Sequence, residues 1–352
     1  MTILFFGSYD PNYSRNRVIL KGLRAQGVRV LEYNDHSPGI LKYIRLALRL
    51  ILERPNFDFL FVPFPGQEIM LWARLLTRKP ILFDVFTSHY EGYILDRKKY
   101  SASSIRAHWY FWLDRTSCRL ADLVFLDTRT HVDWFVKNLG VDRTKLRIVY
   151  VGSDSDVMKP VPHKRSGFTV HFHGHYIPLQ GVRYIIQAAA LLKKENIEFN
   201  LIGNGQTHAA DVALAQSLGA ENVRFIPNIS YAELAEYMNK ANVCLGIFGD
   251  ISKTETVIPN KVFEALACGR PIITARTPVV QELLADGKNV ILCKAADPQD
   301  LAQKILWAQD HQEEAEQIGQ AGRELFEREL IESKIGEKII TYLTAYEHGS
   351  AL

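Results

Sequence analysis

The chain has 352 residues, 47% hydrophobic and 23% charged, enough apolar material for sizeable cores and a length that suits two domains. Its net charge of +3 is uneven: residues 1–165 hold 26 Lys+Arg against 16 Asp+Glu, and the rest hold 16 against 23, so the first half is basic and the second acidic. Cys118, Cys244, Cys268 and Cys293 are scattered without a Cys-x-x-Cys pair, which speaks against a structural zinc site or disulfide framework, and no apolar run approaches the roughly 18 residues of a membrane-spanning helix.

In chain order, the apolar run 3–6 predicts a buried strand ended by Gly7, and 17–26 predicts a helix stopped by Gly27. Further strands are expected at 28–32, 59–62, 80–86, 123–126 and 148–150. The second half repeats the plan, with strands at 169–173, 198–202, 223–226, 243–247, 271–274 and 289–292. Helices fall between them at 184–194, 209–218, 231–239, 261–267 and 298–309. Continuous apolar runs separated by helices predict parallel strands covered on both faces. The expected fold is α/β, with two doubly wound Rossmann-like domains over 1–155 and 165–330 joined by a linker at 151–167. Polar helices follow from about 313, and a last helix of about 330–352 is expected to pack back on the first domain. Two such domains would face each other across one shared cleft. The lack of a basic leader suggests a cytoplasmic protein, with attachment to the inner face of a membrane as the alternative.

Four stretches of the first half carry polar chemistry. Gly7-Ser8-Tyr9 through Tyr13-Ser14-Arg15-Asn16-Arg17 joins the first strand to the first helix, where backbone N–H groups and arginines suit an anion. It lacks Gly-x-Gly-x-x-Gly, which argues against a dinucleotide dehydrogenase. Over 40–54, Lys42, Arg45, Arg49 and Arg54 interleave with Leu41, Ile44, Leu48, Ile51 and Leu52. The first expectation is a surface helix whose apolar side packs on the sheet, and the alternative is a helix lying on an anionic bilayer. Asp84, Ser88 and His89 follow an apolar strand and are candidates to touch an acceptor or the reacting sugar. The aromatic and basic run 106–112 reads as core packing or as an acceptor or membrane surface.

The second half is more specific. His173-Gly174-His175 leads to Gln180-Gly181, Asn200-Leu201-Ile202 to Gly203-Asn204-Gly205, and Pro259-Asn260-Lys261 to Glu264 and the turn Gly269-Arg270-Pro271. A helix carrying Glu264 one turn after Lys261 suits a nucleotide: the carboxylate accepts ribose hydroxyls, while the ammonium and helix N-terminus face phosphate. In order and spacing these segments resemble the nucleotide-sugar site of glycosyltransferase family 4, from about residue 150 to 310 and more loosely before that.

The resemblance implies a GT-B fold of two facing Rossmann-like domains. It implies transfer of a sugar from a nucleoside-diphosphate sugar to a glycan, lipid-linked or small-molecule acceptor, with retention at the anomeric carbon. It implies no required cofactor or metal; the basic first half also raises nucleic acid as a partner, but the sequence shows no recognition motif for it, so none is expected. Carried onto this sequence, the donor side is Gly7, Ser8, His175, Gln180, Gly203, Asn204, Thr256, Pro259, Asn260, Lys261 and Glu264. Tyr9, Tyr13, Arg15 and Ser88 fall on the acceptor side, with His89, Asp84 and Lys261 as catalytic candidates. The sequence departs from the family at three places. His175 stands for the usual Arg, Gln180 for the diphosphate Lys, and Thr256 for the first Glu of the pair eight apart. Lys261 is the expected replacement cation. The competing readings are a nucleotide-sugar epimerase of the same architecture and a degenerate scaffold that binds without catalysis.

Overall fold

The computed structural model describes residues 1–163 and 167–349; residues 164–166 of the expected linker and 350–352 of the expected last helix lie outside the described residues. The chain divides into two compact units, Met1–Val151 with Glu332–Leu352, and Gly152–Ile331.

The first unit runs β1 (Thr2–Gly7), α1 (Ser14–Ala25), β2 (Arg29–Asn34), α2 (Leu41–Glu53), β3 (Phe59–Val62), α3 (Gln67–Leu76), β4 (Ile81–Asp84), α4 (Ile105–Leu120), β5 (Leu123–Leu126), α5 (Arg129–Trp134) and β6 (Leu146–Ile148). All six strands are parallel, in the order β2-β1-β3-β4-β5-β6. The strand Phe59–Val62 is buried throughout, so helices must cover both sides. One side packs under α2, α3, α4 and α5. The other is covered by α1 and the C-terminal helix Glu332–Glu347. That helix was expected to be polar, but Ile335, Ile339 and Leu343 make a fully buried seam along it. It crosses α1 at two glycines: a Cβ on Gly336 would sit 2.1 Å from the Gly22 carbonyl oxygen. The strand expected over 80–86 stops at Asp84, because Phe86 takes the left-handed conformation (φ +51°).

The second unit runs β7 (Phe168–His173), α6 (Val182–Leu191), β8 (Ile197–Ile202), α7 (His208–Leu218), β9 (Val223–Ile226), α8 (Tyr231–Lys240), β10 (Val243–Leu245), α9 (Asn260–Ala267), β11 (Ile272–Ala275), α10 (Pro278–Gln281), β12 (Ile291–Cys293), α11 (Pro298–Asp310) and α12 (Gln312–Leu325). Its parallel sheet has the order β12-β11-β10-β7-β8-β9. The order reverses between β7 and β10, and the carboxyl ends of strands at such a point are where α/β sheets bind ligands.

Candidate functional site in the second unit

The last residues of β7 and the first turns of α9 meet at this switch point. Residues two apart on a strand share a face, so His171 and His173 point the same way. His173 Nε2 lies 2.8 Å from Glu264 Oε2, and its Nδ1 lies 3.0 Å from His171 Nε2. Burial holds the His171 pKa well below its ordinary value, aided by His173 and Lys261, so that ring is neutral. Its buried Nδ1 has no hydrogen-bond partner, which suits a lone pair better than a proton. The chain therefore has one direction: His171 Nε2–H donates to His173 Nδ1, and His173 Nε2–H donates to Glu264. One carboxylate oxygen of Glu264 is fixed by this bond.

Lys261, three residues earlier on α9, is buried. Its ammonium nitrogen bonds Gln180 Oε1 and lies 4.0 Å from the centroid of the Phe172 ring. Burial lowers its pKa to about 7, against the opposing pull of Glu264. An amide and a ring face stand where a full anionic partner would hold the ammonium charged. Pro259 begins α9 without a side-chain cap, so first-turn N–H groups remain directed out of the helix beside Lys261.

Two glycines make the close approach workable. A Cβ on Gly174 (φ +147°) would meet Lys261 Nζ at 2.9 Å, and one on Gly203 (φ +133°) would meet the Gly174 carbonyl oxygen at 2.1 Å. The loop after β7 is pinned there by Gly174 N–H to Ile202 O and Tyr176 N–H to Asn204 O, both 3.0 Å.

The other donor-side candidates are dispersed. Gln180 is buried against Lys261, whereas His175 and Asn204 are exposed. Asn260 and Pro259 are half-buried at the start of α9. Thr256 is buried and its hydroxyl donates to Lys253 O at 3.1 Å, so it brings a loop contact where a carboxylate was sought; Glu255 beside it is exposed. Gly7 and Ser8 belong to the first unit, at the end of β1.

Several first-unit expectations are corrected by burial. Asp84 is fully buried and takes three hydrogen bonds from Arg15, from Nε at 2.9 and 2.8 Å and from the terminal nitrogen at 2.6 Å. Arg15 also donates to Val149 O at 2.8 Å and lies under the Phe86 ring. Both side chains are buried, and each satisfies the other. Tyr9 is buried with its hydroxyl on Glu32 at 2.8 Å, and Ser88 donates to Asp114 at 2.6 Å. Asp114 also takes the N–H groups of His89 and Tyr90, so it staples this loop. His89 is half-buried between Tyr93 and Tyr110, with Nδ1 unpartnered, and burial pulls its pKa down despite Asp114. A ring nitrogen left without a partner and a lowered pKa leave His89 able to accept a proton. Tyr13 is exposed beside Phe64 and Phe86.

Sequence reasoning missed His173, Asp114 and a buried trio in which His131 lies 2.8 Å from Asp127 and 3.2 Å from Glu91. The two-residue spacing of His171 and His173 was the available signal for the first.

The chain is similar to known proteins over most of its length. The family described as glycosyl transferases group 1 matches residues 155–325, and the glycosyl transferase 4-like domain matches residues 2–152. An uncharacterized glycosyltransferase of Methanocaldococcus jannaschii is 22% identical over 329 residues, covering 92% of this chain and 83% of that protein. D-inositol 3-phosphate glycosyltransferase 2 of Catenulispora acidiphila is 25% identical over 208 residues, covering 53% of this chain and 47% of its own length. Sucrose-phosphate synthase of Thermosynechococcus elongatus superposes with a TM-score of 0.76 at 15% identity, covering 99% of each chain. HepE of Anabaena in complex with UDP-glucose gives 0.76 at 16%, covering 98% of this chain and 100% of that one. The paired parallel sheets match the GT-B fold of such structures. With the two family matches together accounting for most of its length, the chain belongs to the group 1 glycosyl transferases and is a glycosyltransferase, a transferase of the EC 2.4 type.

Proposed function

We propose that the protein transfers a sugar from a nucleoside-diphosphate sugar, held by the second unit, to a glycan, lipid-linked or small-molecule acceptor. The observation that carries this reading is the oriented carboxylate of Glu264 beside Lys261 at the β7–β10 switch point. Glu264 accepts the ribose hydroxyls, while Lys261 and the α9 N-terminus face the diphosphate. Departure of the nucleoside diphosphate gathers negative charge on phosphate oxygens, and an ammonium in a dry site stabilises that charge strongly. Lys261 titrates near pH 7 when free; an arriving diphosphate raises its pKa and draws a proton onto it. Retention of configuration and independence from a metal follow from the family resemblance. HepE structures hold UDP and UDP-glucose, so UDP-glucose is the first donor to test.

Calorimetry with UDP, GDP and ADP, followed by NMR of the anomeric product from the bound donor, tests the reading. One diphosphate is expected to bind, and Glu264→Gln to weaken it. Absence of binding to all three, or a Glu264→Gln variant with unchanged affinity and transfer rate, would overturn it.

A further inference from the structure

Helix α2 is apolar on two opposite sides. At about 100° per residue, Leu46 and Leu50 share the side that packs on the sheet, and Ile44, Leu48 and Ile51 share the other. That outward stripe, extended by Leu41 and Leu52, is bare: the five residues are between 41% and 76% exposed. The expectation that the apolar side of 40–54 packs on the sheet is thereby corrected, since only Leu46 and Leu50 of the helix are buried. Single exposed apolar residues are ordinary on protein surfaces; a stripe running the length of a helix is not.

The surroundings of α2 extend the feature. Helices α2, α3 and α4 cover the same side of the sheet, since all three feed one core. Tyr43 of α2 stacks on Trp72 of α3 at 5.9 Å. On α4, Ile105, Trp109 and Trp112 recur at spacings of four and three, with Ile105 89% exposed and the tryptophan rings stacked in the open at 5.0 Å.

We propose that this outward face of the first unit docks on an anionic lipid bilayer, with α2 lying along the interface. Its stripe meets the acyl boundary, and the tryptophan pair sits at headgroup depth, where an amphipathic ring is favoured. Charge selects this occupant over others. Lys42, Arg45 and Arg49 run along one flank of the stripe, in the half of the chain that carries 26 Lys+Arg against 16 Asp+Glu. Arg45 now meets Asp35 at 3.3 Å and Arg49 meets Glu53 at 3.0 Å. Arg49 and Glu53 are both exposed, and Arg45 is exposed against a half-buried Asp35, so both guanidinium groups are open to lipid phosphates that can compete for them. A second copy of this chain would set the same cations against one another.

The proposal stands on the first unit alone and does not depend on the donor site. Sedimentation with vesicles of phosphatidylcholine, with and without phosphatidylglycerol, tests it. The protein is expected to pellet with the anionic vesicles and to be released by high salt. The triple variant Leu48→Gln, Ile51→Gln, Leu52→Gln is expected to lose about tenfold or more in partition, and Arg45→Gln with Arg49→Gln to lose several-fold. Affinity for UDP and the melting temperature should match wild type in both variants. Three results would overturn the proposal: wild type that stays in the supernatant, a triple variant that pellets as well as wild type, or light scattering that shows a wild-type dimer turned monomeric by the triple variant. UDP calorimetry on the same preparations reads the donor proposal separately.

Discussion

The two units bury charge in opposite ways. In the first, buried cations are matched by anions: Arg15 is clamped to Asp84, and His131 lies between Asp127 and Glu91. Burial alone would lower the His131 pKa, but Glu91 and Asp127 together hold it up at about 9. In the second, Lys261 has only an amide oxygen and a ring face, and Glu264 is held by an imidazole. A closed ion pair has no attraction left for a ligand. A cation short of an anion, next to a carboxylate held through one oxygen, is the arrangement on which the donor-site proposal rests.

The sharpest way to break this contrast is to open a closed pair. Arg15→Met leaves Asp84 buried and uncompensated, and should cost about 3–5 kcal/mol of stability, read as a large drop in melting temperature. His131→Gln should act in the same direction. Its contribution also carries a pH signature. The folded pKa of about 9 is raised above the unfolded value of about 6.5. The stabilisation is therefore complete below about pH 6.5 and is lost as pH rises through 9. Urea midpoints of wild type should fall over that window, and those of His131→Gln should fall less.

The second unit should respond in binding and hardly in stability. His173→Phe removes a charge-assisted hydrogen bond to Glu264, and is expected to weaken the nucleoside diphosphate about tenfold to a hundredfold in calorimetry. His173→Gln, whose amide can still donate, should recover part of the loss. If His173→Phe instead lowered melting as far as Arg15→Met, the site would be another closed network and the contrast would fail.

The smallest effect separates the two cations most finely. Diphosphate affinity should be flat below pH 7 and fall by up to tenfold per unit above it, as free Lys261 loses its proton. Proton uptake, measured as a buffer-dependent binding enthalpy at pH 8, checks the sign. Lys261→Arg should abolish the slope, because guanidinium does not titrate there.

The sheets were legible because short apolar runs bounded by turn residues, such as Phe59–Val62, suit strands covered on both sides. The helix that carries Glu264 and the turn after it were legible through local spacing. What escaped was set by distance in sequence. Glu264 and His173 are 91 positions apart, and Arg15 and Asp84 are 69 apart, so nothing local announced either bond. The polar residue that ends β4 read as a ligand group, and only burial showed it to be half of a pair. The charge state of Lys261 depends on exclusion of water, which no residue spacing encodes. In α2 the helical period was plain, yet it could not tell which of two apolar sides faces the sheet.

The glycine crossing between α1 and the C-terminal helix sets an order of events during synthesis. The residues that complete the first unit emerge only after the whole of Gly152–Ile331 has been made. At about 5–20 residues per second, the N-terminal sheet waits roughly 10–40 s with the side that α1 shares with the last helix only partly covered. The second unit is contiguous and can finish first. A ribosome-bound chain halted near residue 331 should therefore be protease-sensitive in its N-terminal half and protected in its later one.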